Sequence, residues 1–161
     1  MKLTRTQKNM RIINDIVKHP DVYDLIWDDH SKDLFDTNLG STFLSLQSFS
    51  VLNPREGCLF VLTLNSLTLS ELHTMIAPGA RGMNAIEAAK EAADWYFTNT
   101  SCEKIITHIP DFNRPACILA RKFGMRKEGN NTKSFKRDGI LHDQFVYGLE
   151  KEAFQCQQSQ R

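Results

Sequence analysis

The chain has 161 residues, 41% of them apolar and 24% charged, which fits one domain with a sizeable core and a soluble surface. Net charge is +1, with 20 basic against 19 acidic residues, and that balance argues against a dedicated nucleic-acid-binding domain. No apolar run approaches the roughly 20 residues that span a bilayer, and the polar N-terminus lacks the apolar core of a signal peptide. A cytoplasmic location is the expectation.

Gln7 to Val17 carries Met10, Ile13, Ile16 and Val17 at helical spacing, which predicts a first helix. His19 and Pro20 end it, and Asp21 is placed to cap a short second helix. Asp28 to Gly40 reads as a polar loop. Thr42 to Leu52 alternates in two phases, which predicts a strand with a bulge near Gln47 and Ser48. Asn53, Pro54 and Gly57 mark a turn, and Cys58 to Leu64 has the continuous apolar run of a central strand. Thr68 to Ile76 is the next strand, with Glu71 and His73 on one face and Leu72 and Thr74 on the other.

Ala85 to Phe97 reads as an amphipathic helix rich in small alanines. Lys104 to Ile109 is a strand. Pro115 opens another helix that Gly124 closes. Ser134–Arg137 and Gln144–Leu149 form a hairpin turning at Asp138–Gly139. Residues 1–152 form one domain on this reading, and 153–161 form a flexible tail.

The loop Gly79-Ala80-Arg81-Gly82-Met83-Asn84 joins a strand to a helix start. Unpaired helix N–H groups, a favourable dipole and two glycines suit an anion such as a pyrophosphate, although such loops also serve as plain connections. Glu71 and His73 can remove a proton from an amine if their face lines a cleft; otherwise they are solvent-facing strand residues. Asn113 serves as a helix N-cap or as a hydrogen-bond partner for a cofactor arm. Cys58, Cys102, Cys117 and Cys156 are scattered and lack zinc-ligand spacing, so no metal site is expected. Cys117 lies in an apolar helix without a partner histidine nearby, which argues against cysteine catalysis. A basic group of Arg121, Lys122, Arg126, Lys127, Lys133, Lys136 and Arg137 is the one feature that would suit nucleic acid.

Together these positions resemble the GNAT superfamily of N-acetyltransferases. The strand ending at Pro78, then Ala80-Arg81-Gly82 and an amphipathic helix, is similar to its acetyl-CoA motif. Asn113-Arg114-Pro115-Ala116, with Lys122-Phe123-Gly124-Met125, resembles its second motif. The ending Asp138 to Leu149 is similar to the branch that acetylates ribosomal-protein N-termini. ELHTMIAPGARG also looks like small phage-encoded proteins of this fold, some carrying a head-assembly label.

The resemblance implies an α/β (α+β) fold. Its sheet is mixed and mostly antiparallel, has a splayed central strand pair and is flanked by helices. It implies acetyl-CoA as co-substrate, with the diphosphate on the amides of Arg81, Gly82, Met83, Asn84 and Ala85. The pantetheine arm would lie along Met75, Ile76 and Ala77 and touch Asn113. Glu71 matches the position of the base, with His73 beside it. The implied partners are an amine-bearing protein or peptide, and also a second copy of the chain or a phage structural protein. Asn84, Ile86 and Ala120 depart from the family pattern, where a glycine, a small residue and an acid tyrosine are usual. These departures favour a rival reading in which the fold is kept for binding alone.

Overall fold

The structure, a computed structural model, describes residues 2, 7–34 and 39–159. Helices α1 (Gln7–Val17), α2 (Pro20–Ile26), α3 (Asp29–Leu34) and α4 (Leu39–Ser45) precede strands β1 (Phe49–Arg55), β2 (Cys58–Leu64) and β3 (Leu69–Ile76). Helix α5 (Met83–Asn99), strand β4 (Lys104–Pro110) and helix α6 (Arg114–Phe123) follow. Strands β5 (Arg126–Arg137) and β6 (Ile140–Glu150) and helix α7 (Lys151–Ser159) complete the described chain.

The six strands form one sheet in the order β1-β2-β3-β4-β6-β5. Every neighbouring pair is antiparallel except β3 and β4, which run parallel. The sheet is therefore mixed and mostly antiparallel, with helices on both faces. Cys58–Leu62 of β2 is a continuous apolar run because both faces are covered there. Phe60 and Leu62 pack with Ala88, Ala92 and Phe97 on one side, while Leu59 and Val61 pack with Ile13, Val17 and Phe43 on the other.

Sequence and structure part company in the N-terminal third. The strand expected from Thr42 begins only at Phe49, and Leu39–Ser45 is helical instead. Leu39 and Phe43 lie four residues apart and are both buried, so helical spacing gives the segment its apolar face. The phase slip at Gln47 and Ser48 is the turn between helix and strand, closed by the Phe49 amide on the Leu46 carbonyl at 3.1 Å. The loop expected from Asp28 to Gly40 contains α3 and the start of α4, while residues 35–38 lie outside the described residues. Helix α2 is capped by His19 rather than Asp21. The His19 ring accepts the Asp21 amide at 3.2 Å, and Pro20 sits in the first turn, where its missing N–H costs nothing. Of the segment expected as a tail, residues 153–159 belong to helix α7. Phe154 is buried against Phe97 and Phe123, and this contact holds α7 through Ser159.

Gly40 lets α4 lie directly on α1. A Cβ there would stand 2.4 Å from the Met10 carbonyl oxygen and 2.7 Å from its Cα, and neither backbone atom can swing away. The Gly40 amide also donates to the Asn14 side chain at 2.9 Å. Gly40→Ala is expected to destabilise the protein by about 1–3 kcal/mol through overpacking, seen as a lower urea midpoint with an unchanged slope.

The hairpin of β5 and β6 turns at Asp138 and Gly139, both at positive φ (50° and 77°), as a two-residue turn of the primed type requires. Its tip is tied to the far end of the chain. The Asp29 carboxylate accepts the Asp138 and Gly139 amides, each at 2.9 Å.

Candidate active site

The parallel pair β3 and β4 is joined only at its beginning. Leu69, Ser70 and Glu71 pair with Lys104, Ile105 and Ile106, and the ladder stops there. Strand β3 runs on to Ile76, held on its other edge by β2, and β4 runs on to Pro110, held by β6. The sheet thus forks beyond Glu71. The β4-facing edge of Leu72 to Ile76 offers backbone groups to whatever enters the fork.

The start of α5 faces the same region. A 3₁₀ turn at Pro78–Ala80 leads into Gly82, which stands at φ 79° and caps α5 without a side-chain hydrogen bond. The first intrahelical bond runs from Ile86 to the Gly82 carbonyl, so the amides of Met83, Asn84 and Ala85 belong to the open first turn. A Cβ on Gly79 or Gly82 would meet nothing within 4 Å, so space stands in front of this turn.

Two cavities meet at the fork. The first, about 310 Å³, lies between α5 and α6 and is lined by Arg81, Gly82, Ala85 and Ile86, with Pro115 and Leu119 opposite. The second, about 360 Å³, lies on the side of the N-terminal helices and holds Glu71, His73 and His108. Both are bordered by Leu25, Ile26, Thr74, Asn113 and Ala116, which makes them one continuous passage through the split sheet.

Glu71 projects into the second cavity and is 24% exposed at its side chain. Its Oε1 stands 2.8 Å from Nδ1 of His108, which projects from β4 just past the last paired residue. His73, two residues along the same face, is exposed to solvent at the cavity wall. Desolvation by the surrounding wall holds its imidazole below the ordinary value of 6.5; the Glu71 carboxylate pulls it up and His108 pushes it further down. The neutral form of His73 is therefore favoured at neutral pH, with one ring nitrogen open as an acceptor. The unfolded chain binds a proton there first, so stability is full above pH 6.5 and falls as the pH drops through the folded-state value. The urea midpoint is expected to fall as the pH drops below about 6.5, and His73→Gln is expected to flatten that fall.

Asn113 is 7% exposed and does cap α6, accepting the Ala116 amide at 3.3 Å, while the same residue borders both cavities. The Arg81 guanidinium donates to the Asp21 carbonyl at 3.1 Å and so joins α2 to the wall of the first cavity. The Arg81 amide is engaged by the Pro78 carbonyl at 3.4 Å, so the open amides begin at Gly82. Asn84 adopts ordinary helical geometry, and its side chain turns toward Arg55, Cys58 and Ala80. Met83 is 68% exposed at the mouth. Met75, Ile76 and Ala77 lie along the end of β3, with Met75 buried below the fork. Ile86 does line the first cavity, and Ala120 is buried beneath it without a hydroxyl.

His108 is the residue that sequence reasoning missed. Alternation in Lys104–Pro110 places it on the face of Ile106, but only the parallel register brings it to Glu71. Cys117 is buried in α6, and burial pushes its thiol above the ordinary value, which suits a core residue and not a nucleophile. Among the described residues no group of three or more His, Cys, Asp or Glu side chains could hold a metal. No helix among them is long and apolar enough to cross a membrane. Of the basic group, Lys127 lies over the Phe145 ring at 3.5 Å and Arg137 over Phe112 at 4.9 Å.

Residues 9–158 match the family described as "Protein of unknown function (DUF2824)". The chain belongs to this family. Protein p31 of Acyrthosiphon pisum secondary endosymbiont phage 1 is 31% identical over 61 residues, 38% of this chain and 39% of that relative. The match therefore spans well under half of the curated relative. The architecture is that of the GNAT acetyltransferases. Spermidine N-acetyltransferase from Vibrio cholerae, solved with CoA and spermine, superposes with a TM-score of 0.73 at 16% identity, covering 96% of this chain and 97% of that one. The ribosomal-protein-S5-alanine acetyltransferase from Vibrio fischeri gives 0.73 at 12% identity, over 94% and 92%. Identities this low establish a shared fold. In this DUF2824 member, that fold brings the split strand pair, the open helix start and Glu71 to one passage.

Proposed function

We propose that this protein transfers the acetyl group of acetyl-CoA to a primary amine, borne by a protein or peptide, through direct attack. The observation that carries the reading is the forked pair β3 and β4, with the open start of α5 on one side and Glu71 on the other.

The residues present fit the cofactor. The amides from Gly82 to Ala85 would hold the diphosphate, with the helix dipole adding to the attraction. The fork-facing edge around Met75 and Ile76 would pair with the pantetheine arm as an added strand, with Asn113 opposite, while the Ala77 amide is already held by the Gly57 carbonyl at 2.8 Å. Backbone donors along that edge would steady charge developing on the thioester oxygen. Glu71 would accept the ammonium proton, directly or through water, and neutral His73 offers a second acceptor on the same face. The attacking nitrogen then forms the new C–N bond as the C–S bond breaks. Ala120 supplies no proton donor, so the thiolate leaves without help from that position.

The test is release of free thiol from acetyl-CoA in the presence of an amine acceptor. Turnover supports the reading, whereas acetyl-CoA binding without turnover points to a relic pocket. A second reading, a GNAT-fold protein that binds a phage structural partner, is favoured by the likeness to phage p31 and by Ile86 in the cofactor wall. It expects no stabilisation by millimolar acetyl-CoA.

A further inference from the structure

The second cavity has one acid and a long apolar wall. Among its described lining residues Glu71 is the only carboxylate, and His108 already stands against it. The wall beyond is built from Trp27, Phe43, Phe49, Val61 and Phe135. The rings of Trp27 and Phe43 are 6.4 Å apart and those of Phe43 and Phe49 6.0 Å apart, so they form a continuous aromatic run. At about 360 Å³ the space lies within the usual range for a small-molecule site.

We infer that the acceptor is a monocationic primary amine carrying one bulky apolar or aromatic group, and that polyamines are rejected. The inference rests on the acetyl-transfer reading for the identity of the reacting group. One ammonium finds one carboxylate at the fork. A second ammonium on the same molecule finds no second carboxylate among the described lining residues; the ring faces of Trp27, Phe43 and Phe49 would offset only part of the loss of its water. An aromatic or branched aliphatic group in that position gains by leaving water. The same chemistry is offered by a free arylalkyl amine and by a peptide whose first residue is bulky and apolar.

The test uses isothermal calorimetry with CoA present, so amine binding is read without turnover. The probes are phenethylamine, a short peptide beginning with phenylalanine, and spermidine. Phenethylamine or the peptide is expected to bind roughly 10- to 100-fold more tightly than spermidine, and the stronger of the two identifies the source. Spermidine binding equally or better, or no amine binding at all, overturns the inference. Thiol release is measured separately. Acetylation of spermidine alone would sink this inference and leave acetyl transfer standing. Apolar amine binding without any thiol release would do the reverse.

The variant Leu46→Glu adds a second reading. Leu46 lines the cavity yet is 44% exposed, so the fold tolerates a charge there. A carboxylate in the apolar wall should move the preference toward spermidine by about tenfold or more. An unchanged preference would mean that the wall does not contact the acceptor.

Discussion

Glu71→Gln is expected to lower kcat for acetyl transfer by roughly 100- to 10,000-fold, the ordinary loss when a positioned base is removed. Acetyl-CoA affinity should be unchanged, because Glu71 lines the second cavity whereas the proposed diphosphate seat borders the first, on the α5 side. The glutamine keeps the size of the side chain and a carbonyl oxygen for His108, so the fork should hold its shape. Steady-state kinetics with thiol release measures the effect. Raising the pH should partly restore the variant, because more of the amine then arrives deprotonated. A variant with wild-type kcat at neutral pH would remove Glu71 from the chemistry.

Ala116→Trp is expected to abolish the stabilisation that acetyl-CoA confers. Ala116 borders both cavities from α6, and a side chain of this size there fills the passage. In the unmodified protein, acetyl-CoA at about 100 times its Kd should add about 2.7 kcal/mol of stability. For a domain of this length that corresponds to a rise in Tm of roughly 5–10 °C. The variant should show almost none of it while melting cooperatively without ligand. An equal rise in both proteins would place the cofactor elsewhere. Ala116 is only half-buried, so the larger ring has room to settle without breaking the core beneath it.

The C-terminal two thirds was readable because its signals are local. Asn113, Pro115 and Gly124 punctuate one helix, with Gly124 left-handed at φ 105°. Asp138 and Gly139 specify their turn, and the alanines of α5 mark the face that meets the sheet. The N-terminal third was harder because its signals conflict. Leu44 and Leu46 mimic strand alternation, yet burial follows Leu39 and Phe43 at helical spacing. The choice is made by Gly40 docking on α1, a contact between segments distant in sequence. The candidate site divides in the same way. The open turn at Gly82–Ala85 and the position of Glu71 beside the fork can be read from motif positions. His108 cannot, because a parallel register is set by the crossover through α5 and leaves no trace in either strand. Arg81 was expected to offer its amide to a diphosphate, but that amide is held by Pro78 and its guanidinium anchors α2, which a linear reading does not show.

The bond between Asp29 and the turn at Asp138 and Gly139 joins residues 109 and 110 positions apart. On the ribosome, that partner emerges after the leading helices have left the tunnel, so the contact cannot form until then. The acceptor chamber has walls from both segments, with Trp27 and Phe43 on one and Phe135 on the other. A nascent chain that has not yet released β5 therefore lacks one wall of that cavity.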